Sequence, residues 1–301
     1  MQITILGNAS GGPFHGRHYS AQLLQLESQV YMIDCGEGTQ MQIFKHRAKA
    51  DACRQLFISH LHGDHIFGLL GMLTNWGHKK RTELLQLFSP PGLKEFVETS
   101  LRVCGVNLSY TLEFHEVDPT VAAIVFEDSK LTVSTIPLQH RCPSTGWLFR
   151  EKIRPRNIRP EKIETYQIPY TSISAIKEGH DLVLANGTII PNAELTLDPP
   201  PPKSYAYCSD TAFSEAVIEA VRGVDLLYHE ATFTTEHSKE AEISKHSTAA
   251  QAAKVASQAA VGRLIMGHIS GRYSSTDLHL AEARILFAKT DIAEEGHTFI
   301  V

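Results

Sequence analysis

Residues 58–65 read ISHLHGDH, so His60, His62, Asp64 and His65 fall within six residues, directly after the apolar run Leu56-Phe57-Ile58. Imidazole nitrogens and a carboxylate at this density suit a borderline metal ion, Zn²⁺ first, with Mn²⁺ or Fe²⁺ as weaker options. His60 and His62 can converge on one ion at a turn. Asp64 and His65 follow at the start of an expected helix and offer a second, mixed set of donors. One tetrahedral zinc needs only three or four ligands, so the cluster points to a two-metal site completed from elsewhere in the chain.

Candidates for completing it stand at the ends of other apolar runs: LTVSTIPLQH ends in His140, SYAYCSD in Asp210 and RLIMGH in His268. Each is a donor at the C-terminal end of an expected buried strand, where loops gather a site in layered α/β proteins. A lone histidine is more often a hydrogen-bonded core residue than a ligand. Three such donors beside H-x-H-x-D-H favour the functional reading.

The elements that must position these residues follow from the patterning. Residues 3–6 predict a first strand; AQLLQLES and VYMIDCG predict a hairpin of buried strands; residues 56–59 predict another strand, and HIFGLLGMLTNW a buried helix. LLQLFSP and GLKEFVETSLRV read as strand, turn and helix; LEFHEV, AIVFED and KLTVSTIPL read as strands. After SYAYCSD come a helical FSEAVIEAVRG, the strand VDLLYHE, a helix from Thr248 and the strand RLIMGHIS. Thr248 and Gln251 predict a capping box, and Gly262 predicts the residue just past the helix. Strands with intervening helices predict sheets covered by helices, an α/β layered domain. Residues 150–202 differ: they are polar and proline-rich, close in DPPPPK, and contain one hairpin signal at Asn186-Gly187. They predict an insertion without a core of its own.

With 43% hydrophobic and 20% charged residues the composition is that of a soluble globular protein, and no run reaches the ~18 apolar residues of a spanning helix. The start MQITILGNAS lacks a basic region and a cleavage site, and reads as a strand. Five scattered cysteines with no C-x-x-C pair argue against a disulfide framework and suit a cytoplasmic setting. A net charge of −5 gives no global pull toward nucleic acid, although a local basic patch can supply one.

H-x-H-x-D-H followed by separated His, Asp and His resembles the metallo-β-lactamase superfamily. DCGEGTQ, SHLHGDHIFGL, YCSDT, HEATF, HST and GHISGRY together resemble, within it, the ribonuclease Z family of tRNA 3′-processing endonucleases. The resemblance runs from Met1 to near the C-terminus. It implies a single four-layer αββα metallo-β-lactamase sandwich over residues 1–301, with an inserted tRNA-binding arm over 150–200. It implies one zinc held by His60, His62 and His140, a second held by Asp64, His65 and His268, and Asp210 bridging them, with Mn²⁺ as a possible substitute. Asp64 is then placed to orient or deprotonate the nucleophile. His246, just before a helix cap, is the candidate proton donor, and Glu230 the residue holding its tautomer and charge. Asp34 offers a partner for a metal-binding histidine, His229 reads as structural, and Arg272 is either a phosphate contact or a surface ion pair.

The implied substrate is precursor tRNA, cut after the discriminator nucleotide to leave a 3′-hydroxyl on the tRNA and a 5′-phosphate on the trailer. The implied assembly is a homodimer in which one subunit's arm serves the other's site, with no membrane partner. Arg154, Arg156 and Arg159 lie in the arm's basic stretch, and such a projection suits contact with a phosphate backbone. The chain departs from the family pattern in three places: QIPYTSISAIKEG where a Gly-Pro pair is usual, Arg17-His18 for Arg-Asn, and SDT for GDT. None removes a ligand. The rival readings are a small-molecule phosphodiesterase or esterase and a non-catalytic RNA-binding or zinc-dependent structural protein. The complete donor set argues against inactivity, and the basic stretch against a purely small-molecule enzyme.

Overall fold

The structure, a computed structural model, describes all 301 residues, Met1–Val301. One seven-stranded sheet runs in the order Thr298–Ile300, Gln2–Gly7, Ala21–Leu26, Gln29–Cys35, Cys53–Phe57, Leu85–Ser89 and Leu112–Glu116. The expected hairpin is present, with Ala21–Leu26 antiparallel to Gln29–Cys35. Beyond it, from Gln29–Cys35 to Leu112–Glu116, the pairing is parallel. The second sheet runs Thr290–Ile292, Arg263–Gly267, Leu226–Glu230, Ser204–Cys208, Thr145–Glu151, Leu131–Pro137 and Ile124–Glu127.

Both faces of each sheet are buried, which is why the central strands read as continuous apolar runs instead of alternating ones. Tyr31, Phe57 and Phe88 of the first sheet meet Phe126, Trp147 and Phe149 of the second, with ring centroids 5.2 Å apart for Phe57–Trp147 and 6.4 Å for Tyr31–Phe149. Their neighbours point the other way. Met32, Leu56 and Leu87 pack under the helices Leu69–His78 and Leu93–Val103. On the second sheet Leu227, Leu264 and Met266 pack under Glu215–Ala220, Ala249–Gln258 and Asp277–Leu286. The layers are therefore helix, sheet, sheet, helix, the expected αββα sandwich.

Three local expectations need correction. HIFGLLGMLTNW is two helices, Gly63–Ile66 and Leu69–His78, not one. The break falls at Gly68, where a Cβ would lie 2.0 Å from the Gly36 carbonyl oxygen, so the backbone of the histidine segment can settle on the Asp34–Gly36 turn. A strand over Thr145–Glu151 had no counterpart among the expected elements. The helix Ala249–Gln258 has its capping box, with Thr248 Oγ1 accepting from Gln251 N, but its left-handed residue is Ala260 (φ 51°), not Gly262. Gly262 is glycine because a Cβ there would stand 2.5 Å from the Asp225 carbonyl oxygen.

Asp128–Leu131 and Arg150–Pro202 form a second compact unit. Ile168, Ile176, Leu182, Ile190 and Leu195 are buried together there, so the segment does have a small core. Asn192 ties it internally, its Nδ2 donating to the Ile176 and His180 carbonyls at 2.7 and 2.8 Å. These isoleucines and leucines follow neither a helical nor a strand period, so no local pattern announces the core. The hairpin at Asn186-Gly187 joins Leu182–Val183 to Ile189–Ile190, with Gly187 at φ 84°.

The two positions beside Ala249–Gln258 make opposite predictions. Gly262→Ala should lower unfolding stability by roughly 1–3 kcal/mol through overpacking, whereas Ala260→Gly should raise it by relieving a left-handed alanine, worth about 1–2 kcal/mol before the entropy cost of glycine. Urea midpoints at unchanged m-value measure both; a lower midpoint for Ala260→Gly would contradict the assignment.

Candidate metal centre

The ends of five strands of the two sheets deliver the donors. Cys53–Phe57 leads to His60, His62, Asp64 and His65; Leu131–Pro137 leads to His140, Ser204–Cys208 to Asp210, Leu226–Glu230 ends in Glu230, and Arg263–Gly267 leads to His268. Asp210 and His268 both hold positive φ, 52° and 55°, in the tight turns that aim their side chains inward.

The donor atoms form two groups joined by one carboxylate. His62 Nδ1 lies 3.0 Å from His60 Nε2 and 3.4 Å from His140 Nε2. Asp210 Oδ2 stands 3.4 Å from His60 Nε2 and 3.7 Å from His140 Nε2. In the other group Asp210 Oδ1 is 3.2 Å from both His65 Nε2 and His268 Nε2. Asp64 Oδ2 is 3.8 Å from His65 Nε2 and 3.5 Å from His268 Nε2. Thus His60, His62 and His140 gather on one side of Asp210, and Asp64, His65 and His268 on the other.

Hydrogen bonds behind the rings determine which nitrogen faces inward. His65 Nδ1 donates to Asp34 Oδ2 at 2.7 Å. Ser59 Oγ donates to Asp34 Oδ2, so it can only accept from His60 Nδ1 at 3.0 Å. Thr232 Oγ1 donates to Glu230 Oε2 at 2.6 Å and so accepts from His268 Nδ1 at 2.9 Å. His140 Nδ1 donates to the Lys245 carbonyl at 3.1 Å. Four rings therefore turn Nε2 toward the centre. His65 Nε2 and His268 Nε2 are buried and find no hydrogen-bond partner. Buried ring nitrogens left without a partner are unfavourable by themselves. They fit divalent cations, which nitrogen and carboxylate donors of this kind bind.

The electrostatics follow the same division. Burial holds His60 and His62 below the usual histidine range and pushes His140 down to about 4, keeping these rings neutral and able to donate a lone pair. At His65 burial acts the same way but is outweighed by Asp210 and Asp34, so its pKa lies well above the usual range. Burial raises the carboxyls of Asp64 and Asp210, yet the surrounding histidines outweigh it and both lie well below the ordinary value. Asp64 Oδ2 also accepts from Gly11 N at 3.1 Å.

His246 stands beside this cluster, its ring centroid 5.0 Å from that of His140 and 5.2 Å from that of His268. Its Nδ1 donates to Glu230 Oε1 at 2.7 Å. Glu230 is fully buried and also accepts from Thr211 N at 2.8 Å. Burial lowers the His246 pKa, but the Glu230 charge and hydrogen bond prevail and raise it to about 9. His246 is thus a cation at neutral pH with Nε2 left over. It lines an open cleft of about 530 Å³ together with Ser10, Phe14, Phe233 and Arg272.

Other expected residues divide. Asp34 does partner a cluster histidine, and His229 is structural, its Nδ1 bonded to the Glu230 carbonyl at 2.7 Å. Arg272 makes the surface ion pair considered for it, with Glu240 at 3.7 Å, and also lies over the Phe233 ring at 5.1 Å while lining the cleft. Arg154, Arg156 and Arg159 belong to the second unit. Arg154 is exposed and pairs with Glu151 at 3.9 Å. Arg156 donates to Thr196 Oγ1 at 2.6 Å and pairs with Asp198, so its charge is partly satisfied at home. Sequence reasoning missed Ser59, Thr232 and Tyr207, whose hydroxyl donates to Asp34 at 2.7 Å. Adjacency to His60 and Glu230 could have flagged the first two; nothing local flags Tyr207.

Residues 1–155 match the family model described as anti-Pycsar protein Apyc1, and residues 177–269 match the beta-lactamase superfamily domain. Ribonuclease Z of Bacteroides fragilis strain YCH46 is 43% identical over 296 residues, covering 98% of this chain and 97% of that protein. Ribonuclease Z of Porphyromonas gingivalis strain W83 is 42% identical over 295 residues, with the same two coverages. Among solved structures, the short form of human tRNase Z superposes with a TM-score of 0.72 at 22% identity, covering 100% of this chain and 99% of that one. The metallo-beta-lactamase fold protein YhfI of Bacillus subtilis gives 0.69 at 16% identity, covering 99% and 98%. These two likenesses carry the fold; near-full-length identity above two-fifths carries the family, and with the donor cluster in place the chain belongs to the ribonuclease Z family of endoribonucleases.

Proposed function

We propose that this protein is a zinc-dependent endoribonuclease that removes the 3′ trailer from precursor tRNA, leaving a 3′-hydroxyl on the tRNA and a 5′-phosphate on the trailer. The observation that carries the reading is a shared-carboxylate donor cluster flanked by a cationic histidine, in a chain so similar to ribonuclease Z proteins. The first zinc is assigned to His60, His62, His140 and Asp210, the second to Asp64, His65, His268 and Asp210; Mn²⁺ is an alternative. Two divalent ions held there would polarise a phosphodiester and lower the pKa of a nearby water.

The chain's own residues do the rest. Asp64 orients or deprotonates the attacking water. The water oxygen adds to phosphorus as the bond to the ribose 3′-oxygen breaks, so the phosphate stays with the trailer. That leaving oxygen needs a proton, and His246, held cationic by Glu230, supplies it. Arg272 faces the same cleft and can pair with substrate phosphate. The Arg150–Pro202 unit, through Arg154, Arg159 and more weakly Arg156, is assigned to the tRNA body away from the cut. A homodimer is supported by the exposed Met41 and Phe44 on the helix Thr39–Lys45, an apolar face of the kind subunits cover. Five free cysteines support a cytoplasmic setting, and no helix is long and apolar enough to cross a membrane.

After reconstitution with zinc, elemental analysis should find close to two ions per chain. Asp210→Ala should deplete both positions together, because it alone faces both donor groups; loss of only one ion would break the assignment.

His246→Ala should slow precursor cleavage roughly 10²–10⁴-fold, with metals and tRNA affinity retained. Because the His246 pKa is raised to about 9, the proton-donating form persists through neutral pH and is lost as pH climbs through about 9. Glu230→Gln removes the charge that raises it, so the alkaline fall in kcat/KM should move to lower pH. An unmoved alkaline limb would assign the proton elsewhere.

Charge reversal of Arg154 and Arg159 together should weaken precursor tRNA binding and make its salt dependence shallower by about one to two unit slopes. Hydrolysis of a small aryl phosphodiester should stay intact. Unchanged binding would make the second unit a spacer.

A further inference from the structure

The segment from Asn8 to His18 is pinned at both sides of the donor cluster yet leaves one large aromatic side chain uncovered. Gly11 N donates to Asp64 Oδ2 at 3.1 Å, His15 lies 3.0 Å from the Gly271 carbonyl through Nε2, and Arg17 donates to the Tyr273 carbonyl at 2.7 Å. His15 holds a left-handed conformation, φ 56°, to make this contact. Between these ties Phe14 is 58% exposed. A Cβ on Gly12 would fall 2.4 Å from the ring and one on Gly271 2.1 Å from it, so both neighbours are bare backbone where the ring lies. The ring therefore lies against backbone although no side chain buries it, and it presents its exposed face on the wall of the cleft that His246 lines.

Its neighbours give it a chemical context. Phe14 lines the same cleft as His246 and Arg272, and the Arg272 guanidinium carbon lies 5.1 Å from the Phe233 ring centroid. An aromatic face, a guanidinium and a proton donor in one cleft match the base, phosphate and leaving oxygen of one nucleotide. His246 must adjoin the nucleotide whose 3′-oxygen it protonates, and that nucleotide is the last one kept on the tRNA. We propose that Phe14 is the stacking platform for the base immediately 5′ of the scissile phosphate, and that it makes the enzyme favour a purine there. The inference rests on the ribonuclease reading and adds to it a positioning residue with base-class preference.

The test uses the full-length, zinc-loaded chain and a mature tRNA ending in 2-aminopurine at that position, which binds without being cut. Fluorescence should be quenched on binding to the wild type and to Phe14→Tyr, and recover in Phe14→Ala and Phe14→Leu. The leucine variant keeps the apolar contact with Gly12 and Gly271 but has no π face, so it separates stacking from loop collapse. With 3′-extended precursors, Phe14→Ala and Phe14→Leu should lose roughly tenfold to a hundredfold in kcat/KM, the worth of one base stack. They should also lose the preference for purine over pyrimidine at the position before the cut, and the tyrosine variant should retain it. Equal quenching in wild type and Phe14→Leu, or an effect of Phe14 only on 2-aminopurine placed in the trailer, overturns the proposal. Wild-type enzyme that cuts precursor tRNA while Phe14→Leu cuts it equally well overturns the proposal alone. Wild-type enzyme that cuts no precursor tRNA overturns the underlying reading with it.

Discussion

Everything at the centre of this molecule hangs on the buried carboxylate of Asp34. It is fully enclosed, and it accepts from Ser59 N, Ser59 Oγ, His65 Nδ1 and Tyr207 OH at 2.7 to 2.9 Å. A carboxylate taken out of water costs several kcal/mol unless its oxygens are saturated, so those four donors are obligatory. Tyr207 comes from the second sheet, Ser59 from the turn after a strand of the first, and His65 from the helix beyond that turn. One buried charge thus fixes the two sheets to each other and orients His60 and His65 with their Nε2 atoms inward.

A second buried carboxylate repeats the device on the other side. Glu230 holds His246 directly and His268 through Thr232. The residue assigned to proton transfer and a residue assigned to metal binding therefore share one support. A change at Glu230 or Thr232 must disturb both, so chemistry and metal affinity cannot vary independently there. Asp210 completes the pattern as the only side chain whose two oxygens face the two donor groups. Positive charge is favoured in this region from three directions, by Asp34, Asp210 and Glu230, and this is what a divalent ion or a protonated histidine requires.

The second unit obeys different physics. Its core of a few isoleucines and leucines is too small to fold by burial alone, and it is supplemented by polar ties such as Asn192 to the Ile176 and His180 carbonyls. Of its arginines, Arg156 is engaged with Thr196 and Asp198, and Arg154 pairs with Glu151 at 3.9 Å. A basic run in the sequence is thus not a uniform basic surface, because local acids and hydroxyls take up part of it.

By itself the sequence determined the ligand types, the strand-end position of each and a layered α/β domain, because apolar runs and metal-binding side chains are properties of short segments; the four-layer sandwich was implied by the family resemblance. His60, His62, Asp64 and His65 were legible for that reason, as were the capping box at Thr248 and the hairpin around Gly187. Only the tertiary structure decided what depends on distance across the chain. It showed that Asp210 divides its oxygens between two groups and that Tyr207 reaches Asp34. The helix breaks at Gly68 because Gly36 lies against it, and Gly262 is glycine because of Asp225, not because of a helix end. It also placed Phe14 on the cleft. In each of these cases the reason is a contact between residues far apart in sequence, and no local period or propensity encodes such a contact.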